Sequence, residues 1–165
     1  MHLDSMEKLY IHHLKDLYSA EKQLTHALPK MAAGSTSPEL RKGFEDHLKE
    51  TEQQIERIEK IFENLEGSPA GVKCKGMEGL IEEGKEMLEA EADPAVRDAG
   101  LIAGAQRVEH YEISGYGTAV AWAELLGYSD AVTLLRQTLD EESAANEKLN
   151  ALAESEINAS APAES

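Results

Sequence analysis

Along most of this chain apolar residues recur at steps of three and four, the spacing that gathers one stripe onto a face of an α-helix, and strand-like two-residue alternation is absent. Four long stretches carry the pattern. The first is predicted to open near Asp4 or Ser5 as N-cap and to end before "GSTSP", with Pro29 bending its last turns. Ser37 caps the second, with Pro38 at the favoured first position, and the helix runs to about Leu65, where "EGSPAG" breaks it. A connection holding a shorter amphipathic segment, "GMEGLIEEGKEMLEAE", leads to Asp93 and Pro94, which open the third long helix. That helix continues to Gly127, and Ser129 or Asp130 opens the fourth. The expected fold is all-α: a four-helix bundle with one long crossover containing a short extra helix. Residues 1–158 are assigned to this single domain and 159–165 to a disordered tail.

Each stripe is interrupted by polar groups near its middle. In the first helix the positions are Tyr10, Leu14, Leu17, Glu21, Leu24, Leu28 and Met31, so Glu21 points to the core. In the fourth they are Ala131, Leu135, Thr138, Glu142, Ala145, Leu149 and Leu152, and Glu142 mirrors Glu21. At 100° per residue, the third-helix face that holds Ile102, Ala105, Ile113, Tyr116, Ala119 and Ala123 also holds Glu109 and Glu112, whereas His110 points away. The second helix places His47 and Thr51 in its stripe, with Glu50 at the edge and Gln54 one turn further.

The charge narrows the partners. Against 16 Lys and Arg stand 32 Asp and Glu, a net charge of −16, which repels nucleic acid and anionic membranes. No apolar run approaches a membrane span, "MHLDSMEKLY" lacks the marks of a secretory signal, and the one cysteine, Cys74, suits a reducing compartment. A cytoplasmic protein without nucleic-acid or membrane partners is expected, and no organic cofactor motif is evident.

Five carboxylates at matched depth do not share a dry core without protons, cationic partners or metal ions. The apolar stripes offer no Lys or Arg near mid-helix. Oxygen donors with one or two imidazoles suit iron or manganese, and zinc can also occupy such a site. Two divalent ions would neutralise four of the five charges, with Glu109 or Glu142 as a bridge.

The stretches "DLYSAEKQLTHALPKMA", "HLKETEQQIERIE", "GMEGLIEEG", "RDAGLIAGAQRVEHYEISGYGTAVAWAELLGY" and "LLRQTLDEE" resemble the YciF/YciE-type ferritin-like stress proteins of bacteria, over nearly the whole chain to about Leu152. The resemblance implies a ferritin-like bundle, a dinuclear metal centre, most simply of iron, dimerisation with a second copy and induction under stress. It implies metal ligands at Glu21, at His47 and Glu50, at Glu109 and Glu112, and at Glu142. The wider ferritin-like pattern places His three residues after Glu on two helices. Here Gln53 follows Glu50 and Ala145 follows Glu142, so His47 and Glu112 are the substitutes on offer.

Around the ligands, Tyr116, Tyr18 and Gln54 are positioned either to hydrogen-bond a ligand carboxylate or to serve as core and rim residues. His12, His13 and His26 read as surface imidazoles, and Gly104, Gly115 and Gly117 as points of close helix approach, a dimer face among the options. Two functions compete. One is a dinuclear iron or manganese protein with oxygen or peroxide chemistry, an oxidoreductase or ferroxidase-like activity being its enzymatic form; the other is a non-catalytic interaction bundle working as a dimer. A storage shell ranks last, because no extra C-terminal helix of the ferritin-cage kind is evident.

Overall fold

The computed structural model describes residues 3–65 and 67–163, and the described residues contain helices and no strands. Helix α1 spans Met6–Gly34, α2 Pro38–Phe62, the crossover helix α3 Lys75–Glu89, α4 Pro94–Leu126 and α5 Ser129–Leu152. Local chemistry starts most of them. The Ser5 hydroxyl accepts from the Lys8 amide, Ser37 from Leu40, and the Asp93 carboxylate from Ala95 and Val96, each satisfying amides that have no partner within the helix. Pro38 and Pro94 sit in the first turns of α2 and α4, where the missing N–H costs nothing. Helix α1 continues through Pro29 to Gly34.

Two boundaries differ from the sequence reading. Helix α2 ends at Phe62, short of Leu65. Helix α5 opens at Ser129, as expected, with Tyr128 at its N-cap and no side-chain cap hydrogen bond. The turn is set instead by Gly127, whose φ of 76° ends α4 in the left-handed region and lets Tyr128 N–H reach the Ala123 carbonyl. At the other end, α5 passes through a π-helical turn, Ala153–Ile157, into a last turn, Asn158–Ser160. Helical backbone therefore enters the segment 159–165 that sequence assigned to a disordered tail, where residues 164 and 165 lie outside the described residues. Ala153 and Ile157 are buried in that turn, which gives the extension an apolar anchor.

In the bundle α1 packs beside α2 and α4, and α5 beside α2 and α4, while α3 lies across α1 and α4. Gly115 on α4 permits close approach within the chain: a Cβ there would lie 2.7 Å from Leu17 Cδ2 on α1. Its carbonyl oxygen is 2.8 Å from His13 Nε2, so His13 is a half-buried link between α1 and α4, packed edge-on against Trp122, rather than a surface imidazole. Gly104 and Gly117 meet nothing in the chain.

A second tie has no counterpart in the sequence reading. Asp98, buried on α4, accepts hydrogen bonds from the Thr36 and Ser37 amides at 2.9 and 2.7 Å, fastening the α1–α2 turn to the start of α4.

The apolar interior is divided. One cluster gathers Leu24, Leu28, Phe44, Met77, Leu101 and Leu149 with their neighbours; the other gathers Tyr10, Leu14, Leu17, Ile58, Phe62 and Leu135. Each fully buried Leu or Phe contributes roughly 1.5–3 kcal/mol, so two such clusters can hold a polar layer between them. Glu21, His47, Thr51, Gln54, Glu109, Glu112, Thr138 and Glu142 are all buried and belong to neither cluster.

Candidate metal centre

The polar layer takes side chains from all four long helices. His47, Glu109, Glu112 and Glu142 each offer one ligand atom, and these atoms lie within 4.8 Å of one another. His47 Nε2 stands 3.4 Å from Glu109 Oε1 and 3.7 Å from Glu142 Oε2. An octahedral ion with bonds of about 2.1 Å separates neighbouring donors by about 3.0 Å and opposite donors by about 4.2 Å, so the donors would have to draw in by a few tenths of an ångström to share one ion.

Glu21 lies on the far side of this group, fully buried, with Oε1 accepting a hydrogen bond from the Tyr116 hydroxyl. Glu50 is different. It is half-buried at the edge, and its Oε2 lies 3.2 Å from His47 Nδ1, which orients the ring with Nε2 inward. The expected set is thus brought together as four interior donors, with Glu21 behind them and Glu50 bracing the imidazole from outside. His110 is exposed, its Nδ1 held by the Gln106 carbonyl.

Among the side chains expected to support the ligands, Gln54 Nε2 donates to Glu142 Oε1, and also to Glu141 at 3.2 Å. Glu141 in turn receives two hydrogen bonds from the Arg57 guanidinium, at 2.6 and 2.7 Å, and Arg57 donates a third to Thr138. Tyr18 does not reach the cluster: its hydroxyl donates to Glu59 at 2.9 Å near the surface. The sequence reading also missed Arg57 and Glu141. Their one signal was position, since Arg57 follows Gln54 by three residues and Glu141 adjoins Glu142.

The electrostatics express the crowding. Burial, with the neighbouring Glu142 carboxylate, raises Glu21 to about 8 against the hydrogen bond from Tyr116. Burial likewise pushes Glu109 and Glu112 well above the usual carboxylate range, and repulsion from the surrounding acids adds to it. For His47, burial favours the neutral ring, but the carboxylates of Glu109, Glu50, Glu142 and Glu21 together outweigh it and raise the imidazole to about 10. The hydrogen bond from His47 lowers Glu50, against its partial burial. Without a metal, the layer is held together by protons.

Glu21 Oε2, His47 Nε2, Glu109 Oε2, both oxygens of Glu112 and Glu142 Oε2 are buried without a hydrogen-bond partner. Buried polar atoms are almost always paired, and each orphan costs about 1–3 kcal/mol, more when charged. Four acids and one imidazole therefore suit hard divalent cations, and the residues fit the group.

Comparison with known proteins agrees with this architecture. A family described as "Domain of unknown function (DUF892)" matches residues 5–162, and the chain belongs to that family. It is 48% identical over 159 residues to Protein YciF of Escherichia coli strain K12, covering 96% of each chain. The solved structure of that E. coli stress protein superposes with a TM-score of 0.91 over 94% of this chain and 99% of the other. YcfI of Rhodopseudomonas palustris, named a candidate structural protein, is 50% identical with a TM-score of 0.86 over 89% of this chain and 94% of that one. A Xanthomonas campestris protein at 24% identity and a TM-score of 0.73 shares the fold. No helix among the described residues is long and apolar enough to cross a membrane.

Proposed function

We propose that this YciF-type protein holds a pair of iron or manganese ions in the layer between its two apolar clusters and handles oxygen or peroxide there during stress. The observation that carries the reading is the convergence of His47, Glu109, Glu112 and Glu142 on one buried level, with one ligand atom of each within 4.8 Å of the others. His47, Glu109, Glu112 and Glu142, with Glu21 beside them, are the residues that would hold the ions. Zinc is the alternative occupant. Bound iron or manganese would supply electron transfer between two oxidation states.

The chain's own residues do the rest. Glu50 fixes the tautomer and direction of His47, Tyr116 holds Glu21, and Gln54 holds Glu142 through a network anchored on Arg57. The apolar clusters flank the layer and leave these side chains almost fully buried. Glu21, Glu109, Glu112 and His47 hold protons in the metal-free chain, and serving as ligands would require them to give these up, so loading would be coupled to proton release.

Metal analysis of protein expressed with added iron and purified without chelator tests this. About two equivalents are expected, and less than about a tenth of an equivalent overturns the reading. A second reading, a non-catalytic bundle acting as a dimer, draws on the name given to YcfI; it predicts that Glu109→Ala retains full stability and that added metal changes nothing. A cytoplasmic homodimer is part of the proposal in either case, and sedimentation equilibrium checks the stoichiometry.

A further inference from the structure

One cavity reaches the candidate metal centre from outside. It lies between α2 and α5, measures about 400 Å³, and has His47 and Glu109 in its lining. Leu40, Phe44 and Leu149 form apolar wall. We propose that this cavity is a substrate pocket for an uncharged organic molecule, which lies against those apolar walls with its reacting end toward His47 and Glu109. The proposal rests on the metal reading for its chemistry, though not for its binding.

Size argues for an organic occupant. A cavity of about 150 Å³ already accommodates benzene, and pockets for small organic ligands span about 300–1,000 Å³. Passage of water, oxygen or peroxide alone requires far less. Charge gives an anion no anchor at the mouth: Lys42 is engaged by Asp46, the His47 ring by Glu50, and Lys148 also lies near Glu50. A larger cleft between α1 and α3 bears Lys22, Lys30 and His26 on its rim but has none of the cluster in its lining, and it serves as the comparison site.

The probe is 4-fluorobenzyl alcohol, with 4-fluorobenzoate as its anionic counterpart, followed by fluorine NMR in the metal-free chain and again with manganese bound. A Cβ at Gly43, in the cavity lining, meets nothing within 4 Å, and the same holds at Gly104 in the other cleft, so Gly43→Phe and Gly104→Phe fill one space each without a clash at the first carbon. The alcohol is expected to bind metal-free protein about tenfold more tightly than the benzoate, to weaken about tenfold in Gly43→Phe, and to be unchanged in Gly104→Phe. With manganese loaded, the bound fluorine should broaden strongly through the nearby paramagnetic ion. Absence of alcohol binding below about 10 mM, equal or tighter benzoate binding, or loss in Gly104→Phe but not in Gly43→Phe overturns the pocket. A separate manganese titration that shows no uptake, with alcohol binding intact, overturns the metal reading alone.

Discussion

Replacing Glu21 by Gln removes one titrating proton from the buried layer while keeping an acceptor for Tyr116. In the metal-free chain Glu21 titrates at about 8 rather than its ordinary 4.5. Between those values the folded state holds a proton that the unfolded chain has released, so stability falls as pH rises. The stabilisation is complete below the unfolded value and gone above the folded one. One extra bound proton corresponds to a slope of about −1.4 kcal/mol per pH unit. From pH 5.5 to 7.5, the stability of Glu21→Gln relative to the parent should therefore rise by up to about 3 kcal/mol. Because the two proteins share every surface charge, their difference cancels the background from the net charge of −16. Urea unfolding in the presence of chelator, analysed at constant m, measures it. Glu109, Glu112 and His47 shift in the same direction, so the parent alone should also lose stability over this range, and saturating manganese should remove that loss by taking the protons' place. Parallel pH profiles for parent and Glu21→Gln would refute a protonated Glu21 and with it the proton-for-metal exchange.

Other perturbations separate the scaffold from the site. Asp98→Ala leaves the Thr36 and Ser37 amides without their acceptor and should cost about 2–4 kcal/mol in chemical denaturation, with metal stoichiometry unchanged. Gly115→Ala drives a methyl to 2.7 Å from Leu17 Cδ2 and should lower stability by about 1–2 kcal/mol, read as a reduced Tm. The two tyrosines should part company: Tyr116→Phe, which strips the hydrogen bond from Glu21, is expected to weaken metal affinity about tenfold. Tyr18→Phe, which loses only a bond to Glu59, is expected to leave affinity unchanged, and metal-competition titrations with a chromophoric chelator distinguish them.

What the sequence disclosed was what short-range chemistry controls. Ser37, Asp93 and the proline after each are local signals, and they cap α2 and α4 as expected. The stripes carried Glu21, Glu109, Glu112 and Glu142 to the core because a helix converts spacing directly into direction, and the same arithmetic sent His110 outward. Contacts between helices were a different matter. Tyr18 and Tyr116 look equivalent along the chain, one three residues before a buried acid and one four residues after; only packing gives Tyr18 to Glu59 and Tyr116 to Glu21. The Arg57–Glu141 pair and the Asp98 clasp join residues 84 and 61 positions apart, beyond the reach of any periodicity. Helix α5 opens at Ser129 as expected, but what sets that boundary is the left-handed turn at Gly127 rather than a capping side chain.

Anomalous scattering from crystals of metal-supplemented protein, recorded on either side of the iron and manganese edges, addresses the metal centre most directly. Two peaks are expected in the buried layer, both within bonding distance of Glu109 or Glu142 and one of them bonded to His47 Nε2. A layer with no anomalous peak at either edge, its carboxylates joined to one another by short hydrogen bonds, would contradict it.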